Sequence, residues 1–281
     1  MLEWYYDEHA KNLNSASSAR YQIPILKAFF GDTPAHEIDP ARQAAYAAHR
    51  RATGMKNDTI NREMSVLSAA LNRAYAWKFI PQPYKILMLP KSDPKERFLS
   101  RNEAATLYRY LLNKIRNTKR YHHLLLFTRI ALNTGARSGV ILSLTWDRVD
   151  FERKTIWFPV PGRKQTNKRA AVISFDHKLE TALIAAKKRA RTNNVIEFEG
   201  RPVKLVRRAL TRACKDAGLN DVSPHTFRHT FATWAAMGGA PLYILGGALG
   251  HSNPSTTARY AKYQPEAFKD VIRASRKKHR A

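Results

Sequence analysis

The sequence predicts a mainly α-helical protein in two domains, with a small β-hairpin in the second. Three observations carry that reading. Apolar residues recur at helical spacing through much of the first third. A stretch holding Pro81, Pro83, Pro90 and Pro94, strongly charged from Lys91 to Arg97, forbids a continuous helix there. Beyond it, two short β-like runs, Thr155 to Phe158 and Ala170 to Phe175, flank a basic, turn-rich stretch from Pro161 to Arg169. The domains are therefore placed at 1–88 and 99–281, with a polar linker at 89–98 and a C-terminal tail from about 264 to 281. A linker this polar suits two lobes that clamp something between them.

Each element has a local reason. "TPAHEIDPARQAAYAAHRR" reads as a turn and then a helix from about Pro40. "NDTINREMSVLSAALNRAYAW" offers Asp58 or Thr59 as N-cap and Glu63 in the first turn, with Met64, Leu67, Leu71, Ala74 and Tyr75 as the apolar stripe. Met64 and Tyr75 are expected in the core. The second domain opens with helices at Arg101 to Arg116 and Tyr121 to Leu132, and helices resume from Lys178 after the hairpin. Ser223 and Pro224 are N-cap and N1 types for a further helix, with Phe231 and Trp234 as its buried stripe and Gly238-Gly239 as its end.

The chain has 281 residues, 44% of them hydrophobic, enough for two cores. It carries 49 Lys and Arg against 22 Asp and Glu, a formal net charge of +27. Such an excess repels itself unless a polyanion relieves it, so nucleic acid is the expected partner; an anionic membrane surface or a ribosomal partner is the bland alternative. Residues 1–90 hold 11 basic and 8 acidic residues, and the remainder hold 38 and 14, so the second part should make most phosphate contacts. No apolar run approaches the length of a membrane helix, and "MLEWYYDEHAKN" lacks the features of a secretory leader. The one cysteine, Cys214, makes neither an internal disulfide nor a zinc-finger spacing, which fits a reducing cytoplasm.

Four stretches hold chemistry-bearing residues. In "VSPHTFRHTFATWAAMGG", His225 and Arg228 share a face of a helix's first turn, where the backbone already favours anions; the alternative is a solvated basic turn. In "LNTGARSGVILSLTW", Arg137 follows a Thr-Gly turn among Leu132, Val140, Ile141 and Leu144, and a guanidinium held there needs an anion, either a phosphate or an internal carboxylate. "PGRKQTNKR" puts lysines on the hairpin, suited to proton donation if neighbouring cations lower their pKa, or to plain phosphate contact. "LGHSNPSTTARYAKY" places Tyr260 nine residues after His251.

Taken in order, T-G-x-R, a hairpin lysine, H-x-x-R, L-G-H and a tyrosine nine residues on, this sequence resembles the tyrosine recombinase (phage integrase) family. "RFLSRNEAATLY", "HTFRHTFATW" and "ALGHSNPSTTARYAKY" share the likeness, and "TINREMSVLSAALNRAYAW" looks like that family's core-type DNA-binding domain, so it spans nearly the whole chain. The resemblance implies a two-domain, C-shaped DNA clamp. It implies that Tyr260 attacks a scissile phosphate to form a 3′-phosphotyrosyl bond. Arg137 and Arg228 would hold the non-bridging oxygens, His225 and His251 would hydrogen-bond to the phosphoryl group, and Lys164 would protonate the leaving 5′-oxygen. Lys168 is the rival to Lys164, and Tyr263 and Tyr243 are the rivals to Tyr260. Val140 stands where the family has an acidic residue.

The implied enzyme is a site-specific recombinase that integrates or excises a phage or other mobile element, with no cofactor, no metal and no ATP; accordingly no GxxxxGK[ST] loop is present. Its implied partners are double-stranded DNA core sites, further copies of itself in a tetramer on two duplexes, with a monomer or weak oligomer off DNA, and accessory DNA-bending or directionality proteins. The implied location is the cytoplasm, on the nucleoid. The tail would pack on a neighbouring protomer or fold back on its own domain. A degenerate, DNA-binding relative without catalysis and a type IB topoisomerase-like enzyme are the alternatives. An arm-binding domain ahead of residue 1 is a further feature of some integrases.

Overall fold

The computed structural model describes residues 1–93, 96–118, 120–159, 171–264 and Lys269. The chain divides into two units, Met1–Lys95 and Glu96–Ala281.

The first unit holds α1 (Leu2–Glu8), α2 (Ala16–Phe30), α3 (Pro40–Ala52) and α4 (Asn57–Ala76). Helix α3 starts where Asp39 accepts from the Arg42 N–H at 2.7 Å, with Pro40 in the first turn. Helix α4 starts two to three residues earlier than its sequence suggests: Lys56, not Asp58 or Thr59, is the N-cap, without a side-chain cap. Glu63 consequently lies in the second turn and is buried. It accepts from Arg50 Nη2 at 2.7 Å, Arg50 Nε at 2.9 Å and the Tyr46 hydroxyl at 2.6 Å. Ile60, Met64, Leu67, Leu71 and Ala74 form the buried stripe. Tyr75 does not join it and is exposed. It follows Ala74 by one residue, about 100° round the helix, and that rotation carries the ring off the packed face.

The proline-rich stretch after α4 cannot satisfy its own backbone, so side-chain amides do so. Asn61 brackets Leu89, donating to its carbonyl at 2.9 Å and accepting from its N–H at 2.8 Å. Gln43 donates to the Lys85 carbonyl and accepts from the Leu87 N–H.

The second unit begins with α5 (Arg101–Thr118), α6 (His122–Thr134) and the short α7 (Ser138–Leu142). Strands β1 (Val149–Asp150), β2 (Thr155–Trp157) and β3 (Val172–Ser174) form an antiparallel sheet in that order. Thr155 faces Ser174 and Trp157 faces Val172, so the two β-like runs pair as a hairpin. Then come α8 (His177–Lys187), a two-stranded ribbon of β4 (Glu197–Phe198) and β5 (Arg201–Pro202), α9 (Arg207–Asp216), α10 (Pro224–Met237), α11 (Leu242–Leu249) and α12 (Ser255–Ala258). Helix α6 is the axis of the core. Its run Leu124 to Phe127 and Ile130 to Leu132 is buried all round, as expected of a helix apolar on every face. It packs along α10, α5 and α8.

In α10 the buried face is Phe227, Thr230, Ala232, Thr233 and Ala236. Phe231 and Trp234 are only half-buried, correcting their sequence assignment. Trp234 sits at the edge because its indole N–H donates to the Leu99 carbonyl at 3.0 Å and the Arg101 guanidinium covers its ring at 3.7 Å. Among the described residues no helix is long and apolar enough to cross a membrane.

Candidate active site

Two helix ends build the site. Helix α6 stops at Gly135, in the left-handed region with φ +61°. A Cβ there would lie 2.4 Å from Phe231 Cδ1 and 2.9 Å from Leu249 Cδ2, so both space and backbone angle require glycine. Helix α11 stops at Gly250, φ +63°. Each end leaves main-chain carbonyls without helical partners.

Arg228, in α10, is buried and spans the two ends. Its Nη1 donates to the Gly135 carbonyl at 2.9 Å and its Nη2 to the Leu249 carbonyl at 2.7 Å. Arg137 leads into α7 half-buried, and its Nη2 donates to the Gly250 carbonyl at 3.2 Å. The negative ends of two helices thus hold both guanidiniums in place. Burial, and then Arg137, push the Arg228 pKa down to about 10; burial lowers Arg137 as well. Both keep their charge at neutral pH.

Helix α10 begins at Ser223, whose N–H donates to the Thr226 hydroxyl at 3.0 Å. Its first turns present His225, Arg228 and His229. The His225 and His229 rings meet edge to face at 4.5 Å. His251 follows Gly250; its N–H donates to the Gly246 carbonyl at 2.9 Å, and its Nδ1 lies 2.7 Å from Thr257 Oγ1. Gly246 permits that approach, since a Cβ there would reach Thr257 Oγ1 at 3.0 Å. Burial, then Arg228, Arg137, His225 and Arg259, push His251 down to about 4. Burial and the same arginines lower His225. The imidazoles are therefore neutral at pH 7 and can accept or donate hydrogen bonds.

Tyr260 comes just after α12 and is 4% exposed, packed with Ala232, Ala236, Leu245 and Leu249. Its hydroxyl lies 2.7 Å from His229 Nδ1. Burial raises its pKa, while Arg259 and Arg228 pull it back. The rival tyrosines are elsewhere engaged: Tyr263 packs edge-on against Phe98 at 5.6 Å, and Tyr243 is 79% exposed.

A narrow cleft runs between the arginines and the sheet, lined by Arg137, Arg228, Val140, Phe158, Ala171 and Ile173. Lys164, Lys168 and the tail after Gln264, apart from Lys269, lie outside the described residues. The flanks of the lysine segment, Phe158 and Ala171, both line this cleft, and the Phe158 N–H donates to the Ala171 carbonyl. The structure thus brings Arg137, Arg228, His225, His251 and Tyr260 into one region. His229 and Thr257, which no motif in the sequence singles out, join them. His229 carried one signal: it stands one helical turn after His225. Among the described residues no three His, Cys, Asp or Glu side chains group to hold a metal ion.

A mainly helical unit with a small sheet, carrying paired arginines and a buried tyrosine, defines the class of the tyrosine recombinases. The chain belongs to the phage integrase family, which matches residues 97–267, and the N-terminal domain of phage integrases matches residues 1–85. The integrase of Haemophilus phage HP1 is 26% identical over 284 residues, covering 96% of this chain and 77% of that protein. The integrase of a Salmonella phage is 26% identical over 227 residues, covering 75% of this chain and 55% of that protein. The tyrosine recombinase XerC of Bifidobacterium longum is 32% identical over 155 residues, 49% of this chain and 42% of that one. Among solved structures, the Tn1549 transposon integrase in complex with transposon right end DNA superposes with a TM-score of 0.79 at 19% identity, covering 96% of this chain and 99% of that one. A lambda integrase tetramer bound to a Holliday junction gives 0.72 at 18%, covering 94% and 77%. At these identities the structural likeness is one of fold.

Proposed function

We propose that this chain is a site-specific DNA recombinase that cleaves and rejoins strands through a 3′-phosphotyrosyl bond at Tyr260, in the integration or excision of a phage or other mobile element. The observation that carries this is the gathering of Arg137, His225, Arg228, His251 and Tyr260 from three distant stretches around two helix ends. A DNA-binding protein without chemistry has no use for a buried tyrosine beside fixed guanidiniums.

The Tyr260 oxygen attacks phosphorus while Arg137 and Arg228 neutralise the non-bridging oxygens, and they do so without rearranging, since helix-end carbonyls already hold them. His225 and His251 hydrogen-bond to the phosphoryl group. Lys164, or its rival Lys168, protonates the departing 5′-oxygen; the position of Phe158 and Ala171 on the cleft supports a hairpin lysine. The phosphotyrosyl bond conserves the energy of the broken one, so a second 5′-hydroxyl reseals the strand without ATP.

Residues 1–88 act as the core-type DNA-binding domain, 89–98 as linker and 99–281 as the catalytic domain, in which the positive charge concentrates. The chain works on double-stranded core sites as a tetramer on two duplexes, with accessory bending or directionality proteins, on the nucleoid in the cytoplasm. Relatives bound to transposon DNA and a Holliday junction support the DNA partner and the tetramer.

The test incubates the protein and Tyr260→Phe with fragmented DNA from the source genome, then captures and sequences protein-linked fragments after denaturation. The reading expects adducts at a few sites, absent from Tyr260→Phe. Adducts at scattered sites would favour a topoisomerase-like enzyme, and tight binding without adducts would favour a degenerate DNA-binding protein.

A further inference from the structure

We propose that His229 is a catalytic residue: it takes the phenolic proton of Tyr260 as that oxygen attacks phosphorus. The inference rests on the reading of Tyr260 as the nucleophile.

The geometry is direct. His229 Nδ1 lies 2.7 Å from the Tyr260 hydroxyl, the reacting atom. At 4% exposure, Tyr260 has little bulk water to receive its proton. Its phenol is held above the ordinary range by burial, against the pull of Arg259 and Arg228, so it is protonated at neutral pH and the proton must go somewhere. His229 is half-buried on α10, one residue after the buried Arg228, so the helix that fixes the guanidinium also fixes the acceptor. The His225 ring backs it edge-on at 4.5 Å.

The ring is neutral before the step. Burial, then His225, Arg259, Arg228 and His251, push His229 down to about 4. Facing it from the other elements are Glu96, Arg259, Lys262 and Tyr263, which line a small cleft with it; Lys262 donates to Glu96. An acceptor at Nδ1 carries its hydrogen on Nε2. An imidazole this acidic is a poor base alone, but the phosphate of bound DNA adds negative charge beside it and favours the imidazolium.

The step balances. The Tyr260 O–H bond breaks, its proton passes to Nδ1, and the oxygen forms the O–P bond. The P–O5′ bond breaks, its electron pair stays on the 5′-oxygen, and a basic hairpin side chain protonates that oxygen. On resealing, the same hairpin side chain takes the proton of an incoming 5′-hydroxyl as its oxygen bonds to phosphorus, the P–O bond to Tyr260 breaks, and His229 returns its proton to the tyrosine oxygen.

His229→Asn isolates the role, because its side-chain oxygen falls near Nδ1 and accepts a hydrogen bond but takes up no proton. The assay follows the rate of adduct formation on sheared source DNA from pH 6 to 9.5, beside thermal unfolding and DNA affinity. At pH 7 the variant should be about 100-fold slower, within the range for general base catalysis. Its melting temperature and DNA affinity should match the wild type. The deficit should shrink as pH rises toward the phenol's own range, and a fluorinated, more acidic tyrosine at 260 should restore the rate. If the asparagine variant unfolds, His229→Ala, which has no proton acceptor there, provides the second comparison beside its own thermal unfolding. A wild-type rate in the variants, or an equal loss at every pH without rescue, overturns the proposal. If the wild type forms no adducts that depend on Tyr260, the nucleophile reading itself fails and this inference falls with it.

Discussion

Arg228→Lys tests how the site is held. The substitution keeps the positive charge and removes the fork. In the native protein one guanidinium satisfies two helix ends, through the Gly135 carbonyl at 2.9 Å and the Leu249 carbonyl at 2.7 Å. An ammonium on a flexible stem reaches one of them. A hydrogen bond from a charged group contributes about 1.5–3 kcal/mol, so losing one should destabilise the second unit by about 2 kcal/mol. For a unit of this size that is about 4–8 °C in melting temperature. Chemistry should suffer more. Removing one preorganised donor to a developing charge costs about 100- to 1,000-fold in rate, about 3–4 kcal/mol. There is also a pH signature. Burial already pushes Arg228 down to about 10, and a lysine in the same place starts from only about 10.4. The variant should therefore lose its charge, and further activity, as pH rises above neutrality, where the wild type holds steady. Thermal unfolding followed by circular dichroism, and adduct formation at pH 7 and 9, read the two effects. A melting temperature within a degree of the wild type, with adduct formation within threefold, would refute the fork argument.

Gly135→Ala puts a Cβ 2.4 Å from Phe231 Cδ1 at a φ of +61°. Backbone strain plus overpacking should cost about 2–4 kcal/mol, and an unchanged urea midpoint would contradict the packing. Glu63→Ala leaves the half-buried Arg50 and the buried Tyr46 hydroxyl without their acceptor; a loss of about 2–4 kcal/mol should appear as early melting of the first unit, and a loss under 1 kcal/mol would count against it. His123, His229 and His251 each fall from 6.5 to about 4 in the folded chain, chiefly through burial. The unfolded chain therefore binds protons first on acidification. Stability should be flat above about pH 6.5 and fall between there and about pH 4, and a melting temperature level across that window would contradict it. Lys164→Ala should slow adduct formation by about 100-fold or more if this lysine is the general acid, and Lys168→Ala much less; the reverse ranking would move the role to Lys168.

The sequence by itself determined most of the elements and the order of the site. Helical periodicity placed α4 through Met64, Leu67 and Leu71, and the Ser-Pro pair placed the start of α10, because both signals act within one or two turns of chain. In the family that the sequence resembles, the distance from the Gly-His pair selects Tyr260 over Tyr263, and that distance is a local quantity. Tertiary structure decided what depends on neighbours remote in the chain. Tyr75 fits the helical pattern yet is exposed. Glu63 looks like a first-turn acid yet is buried against Arg50 and Tyr46. The resemblance pairs Arg137 and Arg228 on one phosphate, but only the meeting of the ends of α6 and α11 shows what holds each guanidinium. His229 was one more histidine in "HTFRHTF" until the fold set Tyr260 beside it. A periodicity records which face of a helix is buried; the partner that face meets, as Tyr260 meets His229, depends on contacts 31 residues apart in the chain and exists only after folding.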